Sequence, residues 1–312
     1  MGAFHCPVGG LGYQSLGCIE CGLCLATTKE EKIKASDIIR EYIRNNHSIG
    51  TDLRIRKMAV CGKGGSGKST VSALFSLVLQ EFGYQVLLID ADNSNVGLGR
   101  KVGIKDKPIN LMDQIDKGNK EAQEIIKQDP ISINDFDEGL VLREGDIRLL
   151  SIGKIENAFE GCACENASIA ASLINSLQTK TDEIIIADQD AGIESFGRGV
   201  EQGVDTLIIV VEPSFDSIEL AKQIKYMAEG LGIRRIRAVL SKIHSEEEEE
   251  YIEDMLSDNE IRFLGSIYVD SSLNNLNLKG ESLKEADSFL QSKYLVNLML
   301  DEAEMRIKRE RN

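Results

Sequence analysis

Residues 62–70 read Gly-Lys-Gly-Gly-Ser-Gly-Lys-Ser-Thr, and Gly62, Gly67, Lys68 and Ser69 fall at the G-x-x-x-x-G-K-[ST] spacing of a phosphate-binding loop. The chemistry dictates these residue types. Gly62, Gly64, Gly65 and Gly67 let the backbone curl so that the N–H groups of the run through Ser66 and Thr70 point at phosphate oxygens. The helix that follows turns the positive end of its dipole toward the same charge. Lys68 is placed to reach the β- and γ-phosphates, and Ser69 to offer its hydroxyl to Mg²⁺, a hard cation that prefers oxygen. A second lysine, Lys63, stands near the start of the loop.

Two carboxylate segments belong with this loop. In Leu88-Ile89-Asp90-Ala91-Asp92, an apolar strand delivers two aspartates two residues apart, on one side if the strand geometry continues. One can sit near Mg²⁺ while the other orients water. In Ile184-Ile185-Ile186-Ala187-Asp188-Gln189-Asp190-Ala191-Gly192, Asp188 ends an apolar strand, where the carboxyl end of a parallel sheet faces ligand. Taken alone, either segment reads equally well as a polar strand end or a helix cap.

The seven cysteines form three groups. Cys61 sits in the strand before the loop. Cys162-Ala163-Cys164 supplies two thiols, half of a tetrahedral site, and a two-fold axis would supply the other half. Soft thiolates suit Zn²⁺, Ni²⁺, Cu(I) or an iron–sulfur cluster, and a pair of partly buried apolar cysteines is the plain alternative. Cys18-x₂-Cys21-x₂-Cys24 has the spacing of a ferredoxin ligand run, with Cys6 as fourth ligand, although the usual Cys-Pro element does not follow. A Zn²⁺ knot, using Cys₄ or His5 in place of one cysteine, competes with a [4Fe–4S] cluster there.

The elements that position these groups can be read from periodicity. Apolar runs near 57–61, 86–90, 147–152, 183–188, 205–211 and 236–241 alternate with helical stretches, the first over Ser69–Phe82. This is the pattern of an α/β, doubly wound, mostly parallel sheet. Residues 1–56 read as a cysteine-rich appendage carrying an amphipathic helix over 29–46, and 57–312 as the nucleotide-binding domain. The polar segment 104–146 reads as an insertion on the nucleotide face. Ser245 and Glu248 form a capping box ahead of the acidic run Glu246–Glu250.

Composition narrows the function classes. A formal net charge of −15 over 312 residues argues against a nucleic-acid sleeve, whose phosphate contacts need a basic face. There is no run of 18 apolar residues and no basic-then-apolar leader pattern, so a cytoplasmic location is expected, and in that reducing compartment cysteines serve as ligands, reactive thiols or core residues. The tail Leu298-Met299-Leu300 to Arg309 is weakly amphipathic with a basic end; docking on its own sheet is expected over membrane binding.

Together, Gly62–Thr70, Asp90-Ala91-Asp92 and the stretch Asp188 to Gly199 resemble the MinD and nitrogenase-iron-protein class of ATPases, over about 57–290. Within that class the stretch Ala191-Gly192-Ile193-Glu194 with Gly197-Arg198-Gly199, and Val210-Val211-Glu212-Pro213-Ser214, resemble the CooC type, which matures nickel enzymes such as carbon monoxide dehydrogenase. The resemblance implies a homodimer in which Lys63 crosses to the partner's phosphates, Asp92 positions the attacking water, Asp188 supports Mg²⁺ through water, and the segment from Asp188 through Gly192 senses the γ-phosphate. It also implies ATP as the nucleotide, and Ni²⁺ or Zn²⁺ at a Cys162/Cys164 interface site. The expected function is a maturation ATPase that delivers nickel or a cluster to an apo-metalloenzyme client. The alternative is an ATP-gated electron donor using the N-terminal cysteines. Three positions depart from the class: Asp190 and Ser195 stand where Glu and His are expected, and Ser241-Lys242 where an Asn-led pair reads adenine.

Overall fold

The computed structural model describes residues 5–6, 10–11, 55–92, 97–136, 138–153, 163–193, 203–233 and 235–311, and of 5–11, 163–167 and 304–311 only the backbone. The expected N-terminal cluster at Cys18, Cys21 and Cys24, the helix over 29–46, Cys162 and Ser195 lie outside the described residues.

Eight strands form one sheet: β1 (Lys57–Gly62), β2 (Gln85–Asp90), β3 (Val141–Glu144), β4 (Ile147–Ser151), β5 (Glu183–Asp188), β6 (Thr206–Val211), β7 (Arg235–Ile243) and β8 (Arg262–Tyr268). Their spatial order is β8-β7-β6-β1-β5-β2-β4-β3, parallel throughout except for the antiparallel β3–β4 edge. The helices are α1 (Lys68–Glu81), α2 (Leu98–Lys101), α3 (Leu111–Asp116), α4 (Lys120–Ile125), α5 (Ala163–Ser176), α6 (Phe215–Gly230), α7 (Glu246–Asp258), α8 (Ser271–Lys279) and α9 (Asp287–Arg311).

The central strands are apolar at nearly every position because both faces are covered, and alternate residues feed two separate cores. Ala59, Cys61, Leu87, Ile89, Ile185 and Ala187 pack toward α5, α6 and α7, whose Leu173, Ile224 and Leu256 are buried there. Met58, Val60, Val86, Leu88, Ile184 and Ile186 pack toward α1 and α9, which contribute Leu74, Phe75, Val296 and Met299. Asp205 aligns the entry to β1, its carboxylate accepting from the backbone N–H groups of Arg56 at 2.7 Å and Lys57 at 2.8 Å.

Three segments differ from the sequence reading. The stretch 104–146 is anchored more deeply than a polar insertion need be. Its scattered apolar residues Leu111, Ala122, Ile125, Ile131, Phe136 and Leu140 enter one core, and it ends as edge strand β3. Strand β8 extends the far edge of the sheet, with Gly265 at its centre. The capping box closes one residue early: Ser245 Oγ accepts from Glu248 N at 3.2 Å, but Glu248 Oε2 accepts from His244 N at 2.8 Å. Helix α9 docks as expected, with Leu295, Val296, Met299, Leu300 and Ala303 buried against the sheet. Among the described residues no helix is long and apolar enough to cross a membrane.

Candidate active site

The end of β1 and the start of α1 build the phosphate loop. Its four glycines are not required for the same reason. Gly62 is fixed by space, because a Cβ there would lie 2.4 Å from the Val210 carbonyl oxygen on the neighbouring strand β6, at a φ of 143°. Gly65 and Gly67 are fixed by backbone, with φ of 80° and 102° in the left-handed region. Gly64 is held by neither: a Cβ there would meet only the Ala191 Cβ, at an ordinary 3.6 Å. The part expected of Gly64 in curling the loop thus falls to Gly62, Gly65 and Gly67, while Gly64 lies beneath the segment that follows Asp188.

Gly67 also caps α1 with no side-chain hydrogen bond. The first turn of α1 therefore keeps backbone donors available for an anion rather than satisfying them internally. Ser66 N donates to the Lys63 carbonyl at 3.1 Å, and Lys68 Nζ donates to the same oxygen at 3.3 Å, which folds both groups inward. Ser66, Lys68 and Ser69 are buried. Thr70 N donates to the Gly67 carbonyl at 3.0 Å, closing the first turn of the helix.

The expected carboxylates converge on this loop. Asp188 ends β5, in register with Asp90 on β2, and Asp90 is in turn level with Ser151 on β4. The strand stops at Asp90, so Asp92 leaves it, yet Asp92 remains buried and its charge acts on Asp188. Asp188 is fully buried on the α1 face. Ser72 Oγ donates to its Oδ1 at 2.9 Å, while Oδ2 has no hydrogen-bond partner. Burial pushes the Asp188 carboxyl up to about 6 against the pull of the Ser69 and Ser72 hydroxyls and the Lys68 cation. An unpaired buried carboxylate oxygen beside a hydroxyl is an all-oxygen arrangement that fits a hydrated Mg²⁺. Bound there, the cation would draw negative charge from the phosphate oxygens, with the Ser69 hydroxyl oxygen as a direct ligand and Asp188 accepting from one of its waters.

The segment after Asp188 is held to β1 and to its last residue, where the loop begins. Gln189 N donates to the Val60 carbonyl at 3.1 Å and Gly192 N to the Gly62 carbonyl at 3.2 Å.

Ser72, which sequence reasoning missed, and Glu212 and Lys242, which it named only within the family resemblance and without a role at the loop, complete the site. Ser72, one helical turn beyond Ser69, bonds Asp188. Glu212, after β6, and Lys242, in β7, lie over the loop: Lys242 Nζ donates to Glu212 Oε2 at 3.1 Å and to the Gly65 carbonyl at 2.6 Å. Lys63 turns inward, its Nζ 3.3 Å from Glu212 Oε1. Ser241 donates its hydroxyl to the Ser66 carbonyl and so braces the loop.

Six of the seven cysteine side chains lie outside the description; Cys61 is buried, with its thiol 3.6 Å from the Ile208 carbonyl. Cys6 lies in a two-residue strand paired with Gly10–Leu11, and Cys164 in the first turn of α5. Among the described residues no cluster of three or more His, Cys, Asp or Glu could hold a metal ion.

A phosphate loop on a parallel sheet, with Asp188 behind it, matches the CobQ/CobB/MinD/ParA nucleotide-binding domain over residues 57–283. The chain belongs to that family. It is a MinD/ParA-type ATPase, and its relatives narrow the branch. An uncharacterized ATP-binding protein of Methanocaldococcus jannaschii is 34% identical over 216 residues, 66% of this chain and 86% of that one. The carbon monoxide dehydrogenase accessory protein CooC of Rhodospirillum rubrum is 32% identical over 226 residues, 70% of this chain and 85% of that protein. The septum site-determining protein MinD of Pyrococcus horikoshii, solved with Mg-ADP, shares the fold at a TM-score of 0.59 and 20% identity, covering 78% of this chain and 94% of that one. The likeness to CooC makes this MinD/ParA-type ATPase a CooC-like one.

Proposed function

We propose that this ATPase works as a homodimer that couples ATP binding and hydrolysis to delivery of nickel or a metal cluster to an apo-metalloenzyme client of the carbon monoxide dehydrogenase kind. The similarity to an accessory protein of carbon monoxide dehydrogenase carries this reading, and Cys162-Ala163-Cys164 supports it from the sequence. In the cycle, ATP draws two subunits face to face and Lys63 of each reaches the other's phosphates, where a fixed cation neutralises charge developing in transfer to water. Asp92 orients that water. Closure pairs Cys162 and Cys164 with their copies into a four-sulfur site for Ni²⁺ or Zn²⁺, and hydrolysis reopens it.

Anaerobic protein supplied with ATP and Ni²⁺ is expected to restore an apo client without added reductant. Restoration only with reductant selects the second reading, ATP-gated electron delivery, which the Cys6, Cys18, Cys21 and Cys24 set favours as a [4Fe–4S] site; the competing Zn²⁺ site there carries no electron. Two substitutions separate the parts. Lys63→Ala is expected to keep nucleotide binding and lose most hydrolysis. Joint Cys162→Ser and Cys164→Ser substitution is expected to lower metal bound per dimer, and unchanged metal stoichiometry would remove the interface site.

A further inference from the structure

Lys63, the residue that the proposed function sends across the dimer, is tied down inside its own subunit. Its Nζ lies 3.3 Å from Glu212 Oε1, 3.5 Å from Ser214 Oγ and 3.9 Å from Asp216 Oδ2. The second oxygen of Glu212 accepts from Lys242 Nζ at 3.1 Å, and Lys242 also holds the Gly65 carbonyl at 2.6 Å. One carboxylate thus joins the start of the phosphate loop, the end of β6 and the end of β7. Its surroundings make the tie more than a surface ion pair, since the Glu212 side chain is only 19% exposed and that of Lys63 34%. Burial would raise the Glu212 carboxyl, yet the two lysines hold it below the ordinary range. Lys242 is itself in a left-handed conformation, φ 61°, where the β7–β8 register slips between Ser241 and Ile243, so its placement over the loop is specific.

We infer that Glu212 is a positioning residue that holds Lys63 in a restrained, one-subunit arrangement from which ATP must free it before the dimer closes. The inference rests on the proposed crossing of Lys63. Glu212 competes with the partner's phosphates for a single ammonium group. The cost of opening the clamp is the same for either nucleotide, so it raises the threshold for closure and leaves discrimination to the lysine–phosphate contact, which is stronger for a triphosphate than for a diphosphate. Lys242 keeps the clamp releasable by taking a share of the Glu212 charge. Two clamps open for each dimer formed, so any change in clamp strength enters the dimer equilibrium twice.

The test is ATP-dependent dimerisation of the full chain by sedimentation, with nucleotide binding to the monomer measured separately. Glu212→Gln keeps size and one acceptor but removes the charge; about a 5-fold gain per subunit from a partly exposed pair gives about 25-fold tighter dimerisation. Monomer affinity for ATP is measured in the same variant and divided out of the change in dimerisation, because Glu212 reaches the phosphate loop through Lys242. Lys242→Met leaves Glu212 wholly to Lys63 and is expected to shift dimerisation the other way, an opposition of sign that a merely structural role does not produce. Unchanged or weaker dimerisation in Glu212→Gln, or shifts of the same sign in both variants, overturns the clamp. If Glu212→Gln loses its cooperative melting transition, Asp216→Asn decides: this exposed contact should give a gain in the same direction but under about 2-fold, and no gain overturns the clamp. Lys63→Ala keeps the two readings apart. Full hydrolysis in that variant sinks the dimeric mechanism itself, whereas lost hydrolysis with Glu212→Gln behaving as the parent sinks only the clamp.

Discussion

Asp188 and Asp270 stand at the same edge of the sheet, at the end of β5 and just past the end of β8, and both are buried, 0% and 8% exposed. Their carboxylates are treated in opposite ways. Asp270 accepts from Ser272 N at 2.8 Å, Ser272 Oγ at 2.6 Å and Leu273 N at 3.2 Å on one oxygen, and from Ser288 N at 2.8 Å on the other. It caps α8 and pins the start of α9. Burial alone would raise it, but these donors bring it down to about 2. Asp188 has Ser72 on Oδ1 and an unpartnered Oδ2, and is pushed up to about 6. A buried carboxylate given every donor it can use is a structural joint; one left with an idle oxygen beside a phosphate loop is waiting for a ligand.

Substitution of each by its amide sharpens the contrast. If Asp188 accepts from a Mg²⁺-bound water as proposed, Asp188→Asn removes that acceptor where charge develops, and steady-state hydrolysis is expected to fall by about 100-fold or more. Hydrolysis within a few-fold of the parent would break the comparison at its functional end. Asp270→Asn should do the reverse, because an NH₂ group must then face backbone donors that the carboxylate satisfied. A loss of about 3 kcal/mol in denaturant unfolding is expected, while turnover per folded molecule falls far less than in Asp188→Asn. An unchanged unfolding midpoint would mean that the joint at α8 and α9 carries no stability.

The same contrast explains which parts are legible in the sequence. Gly62–Thr70, Asp90, Asp92 and Asp188 are readable because each lies within one short segment whose spacing is set by a single turn or strand. Within that loop the motif spacing does not tell Gly64, which has room for a side chain, from Gly62, which has none, because the difference lies in the approach of β6. The six central strands are readable since burial on both faces leaves apolar runs with little interruption. Edge strands β3 and β8 carry Arg143, Glu144 and Arg262, and Gly265 interrupts β8, so neither shows such a run. Helices α3 and α4 bury two residues each, too few to show a helical period. Glu212 and Lys242 are 30 residues apart and meet only because β6 and β7 are neighbours. Asp270 is silent for a third reason: its donors are mostly backbone N–H groups, which no residue type announces.

The most diagnostic effect is spread over several pH units, because it concerns the sign of a pH dependence. A carboxyl whose folded value lies near 6 and whose ordinary value is 3.8 stabilises the fold in relative terms below that window and loses the contribution as pH rises through it. The idle Asp188 should therefore lower nucleotide-free stability between about pH 4 and pH 6, by at most about 3 kcal/mol at about 1.4 kcal/mol for each pH unit crossed. Asp188→Asn lacks that titration, so its stability advantage over the parent should appear as pH rises from about 4 to 6 and then level off. Asp270 runs the other way, its contribution present above its ordinary value and lost as pH falls toward about 2. Unfolding curves of the parent and both amide variants across about pH 3 to 7, without nucleotide, separate the two slopes. Equal slopes for Asp188→Asn and the parent would mean that Asp188 already has a partner for its second oxygen. Adding Mg²⁺ and nucleotide should erase the Asp188 slope and leave that of Asp270 untouched, since only the first carboxylate has an acceptor still to fill.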